Sequence, residues 1–476
     1  MYNTIAINFM EFLSMINGKR EKLSSRIGFI LVSAGCAIGL GNIWRFPYIT
    51  GKYGGALFVI VYLICLAVVG LPVLIMEFSI GRAGQRDIAG SYKVIEKEGS
   101  KWHLIGYVQI LGCLILMMFY TSVTGWTITY AYYMATGATL GLTSDGTAAF
   151  FGNMLSNPFI MILSLFIAVF FGTLVCFKGL QRGVERASKI MMSSLFVIVI
   201  ILIMRSITLD GAVEGLKFYL LPDISKMFDR GMHSFIEVIY AALGQAFFTL
   251  GIGVGSMTIF GSYIGKEKSL TNESIIIVIL DTLIAFLAGL VIFPACFAFG
   301  VNPGEGAGLA FVTLPNILNS MPLPRVWGTL FFLFLSMAAL TTVVTVFENL
   351  IAFTMSEFKI PRNRASILVG IVVFICSLPT ALGFNVLSFI HPMGGESSFL
   401  DLFDFLVSDN LVELGGIYII IFCVSKYGWG WDNFIKEVDS GEGIKFPKFA
   451  RIYVSYFLPL IIFALFIINY IYKYFL

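Results

Sequence analysis

Two glycine-rich strings inside apolar runs are the first residues of this chain whose types and spacing could do chemistry. One reads Gly35-Cys36-Ala37-Ile38-Gly39-Leu40-Gly41-Asn42, the other Thr249-Leu250-Gly251-Ile252-Gly253-Val254-Gly255. Each glycine costs a helix about 1 kcal/mol relative to alanine, so such a cluster marks a place where a helix unwinds. Unwinding frees backbone carbonyls, which are hard oxygen ligands for a small cation. It also exposes half-helix N-termini, whose N–H groups and partial positive charge suit an anion. A site with both suits a sodium ion beside a carboxylate, and Asn42 and Thr249 add neutral side-chain oxygens. A third string, Ala338-Ala339-Leu340-Thr341-Thr342, sets two hydroxyls beside small residues. They could complete a second all-oxygen site or bond back to their own helix, which is common in membranes. Small residues also line plain helix contacts, so one glycine cluster alone would say less than two.

Five ionisable residues lie within apolar runs: Arg45, Glu77, Asp281, Glu348 and Asp404. Their cost in a membrane makes each a functional candidate. Arg45 and Asp404 fall toward the same side, where they could form an outer latch or an ordinary structural ion pair. Asp281 is deep in its run, where a lone carboxylate needs a cation nearby to stay charged. Glu77 and Glu348 are read as partners for freed backbone groups.

The elements that must position these residues are membrane helices. Of 476 residues, 58% are hydrophobic and only 12% charged, about half the usual ~25%. Mean hydropathy is +0.90. So few charges cannot clothe a soluble surface, so lipid must be the solvent. A net charge of +3 is too small to suggest nucleic acid. The seven cysteines all fall in apolar runs, with no C-x-x-C pair, and read as small buried hydrophobes. No H-E-x-x-H, no G-x-S-x-G and no mid-membrane histidine is present, so an enzyme is not expected.

About eleven apolar runs are long enough to span, near 27–48, 55–80, 104–136, 158–177, 187–206, 236–264, 274–300, 326–356, 365–384, 399–425 and 449–473. Lysine and arginine crowd alternate loops, from Lys19, Arg20, Lys22 and Arg26 through Lys178, Arg182, Arg186 and Lys189 to Lys445, Lys448 and Arg451. Those loops are therefore cytoplasmic, which puts the N-terminus inside and, with an odd count, the C-terminus outside. The glycine strings fall in the first and sixth runs, the same place in two five-helix halves. Five is odd, so the halves enter from opposite sides. Paired broken helices in an inverted repeat point to a transporter's central site. The expected architecture is all-α: an N-terminal segment (1–19), two five-helix repeats (20–210 and 211–430), then a loop with an eleventh helix (431–476). No twelfth helix is expected. A channel fits poorly, since channels usually repeat subunits around a pore.

The strings RIGFILVSAGCAIGLGNIWRFPYI (Arg26 to Ile49), GLPVLIMEFSIGR (to Arg82), KGLQRGVERASK (to Lys189), GQAFFTLGIGVGS (to Ser256) and LDTLIAFLAGLVIFP (to Pro294) resemble the neurotransmitter:sodium symporters. The likeness is to their bacterial amino-acid transporters, and it runs from about Arg20 to Lys473. It implies a bacterial inner-membrane symporter with no obligatory protein partner. It implies one sodium between the Ala37 carbonyl, Asn42, Thr249, Asp281 and the substrate carboxylate. A second sodium would lie between the Gly35, Ile38 and Ala338 carbonyls and the Thr341 and Thr342 hydroxyls. The substrate carboxylate would meet the N–H groups of Leu40 and Gly41 and the Tyr120 hydroxyl. Its ammonium would face the carbonyls of Ala37, Phe248 and Thr249. The side-chain pocket would be Leu116, Tyr120, Phe248, Gly251, Val254, Thr342 and Val346. Phe248 would lid it, with Arg45 and Asp404 as the outer gate.

Departures from the family pattern sharpen these expectations. Asp281 stands where the best-known members carry asparagine, so its carboxylate is expected to replace the chloride that some relatives need. The inner gate usually pairs an N-terminal arginine with an aspartate ending helix eight. Arg20 is present, but Ser356 and then Glu357 occupy the other side. Leu23 replaces an aromatic residue that often packs there. The apolar pocket implies a neutral hydrophobic amino acid. Gly251 and Val254 leave room for a large aliphatic or aromatic side chain. A proton-coupled carrier or a non-transporting amino-acid sensor on the same scaffold is the alternative. Intact Thr341 and Thr342 favour sodium.

Overall fold

A computed structural model describes residues 21–223, 232–304 and 308–475. Residues 1–20, which include Arg20 and the N-terminal segment, lie outside the described residues. Lipid offers no hydrogen bonds, so every spanning segment must satisfy its own backbone, and the chain answers with helices. Among the described residues no strand forms. One isolated bridge pairs Lys268 with Glu442.

Among the described residues nine helices are long and apolar enough to cross a membrane: Ala56–Gly84, His103–Thr136, Pro158–Phe177, Leu180–Ser206, Leu270–Ala298, Pro324–Phe358, Arg362–Leu382, Phe399–Val424 and Lys448–Ile468. A tenth span forms if the bent pair Arg26–Ala37 and Gly41–Lys52 is taken together. Within the run near 236–264 the described residues form two helices. Met232–Leu250 ends at the glycines, turns follow, and a short helix resumes at Thr258–Gly261. Below, the spans keep their order along the chain, the bent pair being the first, Met232–Leu250 with Thr258–Gly261 the sixth and Lys448–Ile468 the eleventh.

Local chemistry sets the helix ends. Ser25 caps the first span by accepting from the Gly28 N–H, and Ser269 caps the seventh by accepting from Asn272. Asn157 accepts from the Phe159 and Ile160 N–H groups, and Pro158 takes the first helical position. The third span stops at Gly137, whose φ of 79° suits a residue without Cβ.

Burial shows which spans hold the centre. In the eighth span 78% of the apolar window is buried, against 22% in the eleventh. The eighth packs along the third and contacts the first, and the eleventh lies at the periphery. The eighth span has 35 residues. At ~1.5 Å per residue it is about 52 Å long, more than the ~30 Å of a bilayer core, so it tilts or projects.

The basic loops gather at one end of the bundle and are tied together there. Arg26 forks onto Glu273 at 2.8 Å, and buried Arg82 meets Glu437 at 2.7 Å, which also takes Lys266 at 2.9 Å. The cysteines are buried except Cys376, which is partly so.

Candidate functional site

In the first run, helical geometry is interrupted between Ala37 and Gly41. Helix ends at Ala37, Ile38 turns extended (φ −70°, ψ 105°), and the next helical stretch leaves at 56° to the first. Asn42 locks the break. Its Oδ1 accepts from the Gly39 N–H at 3.0 Å, and its Nδ2 donates to the Asp281 carbonyl at 3.1 Å and to Asp281 Oδ1 at 2.8 Å. Thr249, at the sixth-span break, donates to Asp281 Oδ2 at 3.1 Å. Asn42, Thr249 and Asp281 are all buried. One carboxylate thus joins both breaks through the seventh span.

On the other side of the first break stand the eighth-span hydroxyls. Thr341 Oγ1 lies 3.3 Å from the Ile38 carbonyl oxygen and 2.7 Å from that of Ala338. Thr342 Oγ1 lies 3.5 Å from the carbonyl oxygens of Cys36, Ile38 and Ala338. Five oxygens converge there. Gly35 lies alongside: a Cβ on it would sit 3.4 Å from Thr341 Cβ. The Cys36 carbonyl is a member that sequence reasoning missed. A carbonyl belongs to every residue, so no residue type announces it.

The sixth-span break runs through Gly251, Gly253 and Gly255, with φ of 58°, 95° and 75°. Alternating left-handed residues cannot form a helix, and a side chain here would be strained. Their backbone groups find partners on neighbouring spans. Glu77 accepts from the Gly253 N–H at 2.5 Å and the Met257 N–H at 3.1 Å. Gln109 donates to the Gly253 carbonyl at 3.0 Å, and the Cys113 thiol to that of Val254 at 3.4 Å. Asn349 donates to the Ser256 carbonyl at 3.0 Å. Glu77 therefore serves freed backbone, as its place in the sequence suggests.

Tyr120 faces the first break, and its hydroxyl accepts from the Leu40 N–H at 3.1 Å. A Cβ at Gly39 would fall 2.5 Å from that hydroxyl and 2.7 Å from Thr342 Oγ1, so only glycine fits. At Gly41 a Cβ would lie 2.9 Å from the Phe248 ring. Gln245 donates to the Gly41 carbonyl at 3.0 Å, a contact sequence reading did not find. Ala37, Leu40, Val254, Thr342 and Val346 are buried, while Leu116, Phe248 and Gly251 are partly so. Gly39→Ala is expected to displace the Tyr120 hydroxyl and weaken substrate binding by about tenfold or more, since it costs at least one buried hydrogen bond of ~1–3 kcal/mol. Equilibrium binding of a labelled amino acid to purified protein checks it.

The gates differ from expectation. The Arg45 guanidinium stacks over the Phe248 ring, 4.2 Å from its centroid, and Asp404 accepts from Ser408 at 2.6 Å. Among the described residues no ion pair joins Arg45 to Asp404. A ring face attracts a guanidinium by its quadrupole, and here it holds the cation directly on the expected lid. Inside, Glu357 accepts from Tyr107 at 3.3 Å. Glu348, expected to serve freed backbone, instead forms an ion pair with buried Arg362 and accepts from Tyr263 at 2.7 Å. Arg362 also donates to the Cys176 carbonyl at 3.1 Å and reaches Glu21 at 3.2 Å. The Arg362 guanidinium gives this buried carboxylate a charge-assisted bond and a compensating charge.

The model of the Sodium:neurotransmitter symporter family matches residues 20–144 and 150–475. The sodium-dependent transporter YhdH of Bacillus subtilis is 36% identical over 87% of this chain and 89% of its own. A sodium-dependent transporter of Haemophilus influenzae is 32% identical over 95% of this chain and 99% of its own. Among solved structures, MhsT in complex with L-phenylalanine superposes with a TM-score of 0.83 at 35% identity, covering 94% of this chain and 99% of that one. The relatives are membrane transporters and not enzymes. With matches spanning nearly all of its length, the chain belongs to the sodium:neurotransmitter symporter family.

Proposed function

We propose that this protein imports a neutral hydrophobic L-amino acid with two sodium ions, independently of chloride, by alternating access. The observation that carries the reading is the Asn42–Asp281–Thr249 triangle, which ties the two broken spans to one buried carboxylate. In it, the first sodium sits among the Ala37 carbonyl, Asn42, Thr249, Asp281 and the substrate carboxylate. The second sits among the first-break carbonyls, the Ala338 carbonyl and the Thr341 and Thr342 hydroxyls. Leu40, Gly41 and Tyr120 hold the substrate carboxylate. Because sodium and substrate share that carboxylate, each raises the other's affinity.

MhsT holds phenylalanine, and the apolar lining here supports a substrate of the same class. The Asp281 carboxylate occupies the place of an external anion. The chain crosses a bacterial inner membrane eleven times, with the N-terminus inside and the C-terminus outside, as two inverted five-span repeats. Two sodium charges moving down 100 mV supply about 4.6 kcal/mol, twice the ~2.3 for each charge.

Sodium titration of amino-acid binding tests this. Purified protein is offered labelled phenylalanine, leucine, tyrosine, glycine and glutamate in sodium or choline chloride. Binding of a hydrophobic member, steepening with sodium and unchanged in sodium gluconate, is expected. Binding only of glutamate, or equal binding in choline, would overturn the reading.

A further inference from the structure

The third span carries a polar stripe of which the sodium and substrate assignments use only Tyr120. Gln109, Cys113 and Tyr120 recur at helical spacing on one face. Each reaches a broken segment: Gln109 the Gly253 carbonyl, Cys113 the Val254 carbonyl, Tyr120 the Leu40 N–H. Gln109 is 3% exposed. An uncharged amide this deep must earn its place by hydrogen bonding. Its Nε2 donates at 3.0 Å to the carbonyl of Gly253, the residue whose N–H is held by Glu77. Its Oε1 is buried without a partner and lies 3.0 Å from where a Gly255 Cβ would stand. The amide is therefore wedged between two left-handed glycines on either side of Val254. One turn along the same helix, Gly112 leaves space for Val254, with a Cβ there falling 3.3 Å from Val254 Cγ1. The third span both pulls this peptide toward itself and makes room for its side chain.

We propose that Gln109 is a positioning residue for selectivity: by holding the Gly253–Val254 peptide against the third span, it keeps the Val254 side chain back and the pocket wide enough for a large side chain. It touches neither sodium nor substrate. This inference rests on the proposed amino-acid site. The geometry gives it a direction. Releasing the peptide lets Val254 advance into the pocket, which penalises large substrates more than small ones. Sodium affinity depends on the other face of the break and stays as it was.

Gln109→Met keeps length and removes the donor. Gln109→Leu removes donor and acceptor together with a side chain of similar bulk. Each is reconstituted, and phenylalanine and valine compete for sodium-driven uptake. In both variants the preference for phenylalanine over valine is expected to fall about tenfold, on the scale of a methylene-sized change in a pocket. The change appears in KM, with the sodium concentration for half-maximal uptake unmoved when each amino acid is saturating. An unchanged preference, or equal loss for both amino acids, would overturn the inference in whichever variant folds. Absence of sodium-driven uptake in the unsubstituted protein would instead overturn the symporter reading itself.

Discussion

Asp281→Ala is expected to abolish sodium-coupled uptake, with a loss of at least about a hundredfold, or ~2.8 kcal/mol at ~1.4 per tenfold. The side chain is fully buried and accepts hydrogen bonds from Asn42 at 2.8 Å and Thr249 at 3.1 Å. Alanine removes the one charge that the protein's own residues bring to the proposed first sodium site and leaves the Thr249 hydroxyl to find another acceptor. The fold should survive, because Asn42 keeps its bond to the Asp281 backbone carbonyl at 3.1 Å. Loss of uptake with an unchanged melting temperature therefore identifies a functional carboxylate. Asp281→Asn separates charge from shape: it retains the oxygen and removes the charge, so chloride should then stimulate uptake. Uptake by Asp281→Ala within threefold of the parent would remove Asp281 from the mechanism.

Arg362→Met should cost about 3–5 kcal/mol of stability, the usual loss when one partner of a buried ion pair is removed. Arg362 is 3% exposed and Glu348 not at all. With methionine in place, Glu348 keeps Tyr263 at 2.7 Å but loses its charge partner. Two further acceptors, the Cys176 carbonyl and Glu21, lose a donor as well. The double substitution Glu348→Gln with Arg362→Met should recover a large part of the loss, since it leaves no unpaired charge behind. Thermal unfolding in detergent of the parent, the two single substitutions and the double gives the coupling energy directly. A single substitution within about 0.5 kcal/mol of the parent, the range of ordinary surface changes, would contradict the burial argument.

What was legible in the sequence was local. The breaks could be read because glycine clusters penalise helix wherever they occur, and Gly35–Gly41 and Gly251–Gly255 act within a few residues of themselves. Asn42 and Thr249 stand beside those glycines, and both reach Asp281. Thr341 and Thr342 were visible as adjacent hydroxyls in an apolar run. Long-range partners were hidden. Arg362 sits among basic loop residues and was counted only as a topological charge, yet it turns inward to Glu348. Gln109 is neutral and lies in the second turn of its helix, and its partner, the Gly253 carbonyl, is 144 residues away, so neither charge nor spacing marks it. Side of the membrane and opposite sign offer Asp404 to Arg45, while the structure sets the Arg45 guanidinium over the Phe248 ring at 4.2 Å. Sign complementarity names possible partners. Only packing chooses among them.

Accumulation in proteoliposomes tests the central claim most directly. Vesicles carrying the purified protein take up labelled phenylalanine under an inward sodium gradient, with choline outside as the control. The account predicts a transient internal concentration well above the external one. It collapses when a sodium ionophore dissipates the gradient and persists when gluconate replaces chloride. Uptake that only equilibrates, or proceeds equally in choline with folded protein, would contradict sodium-coupled import.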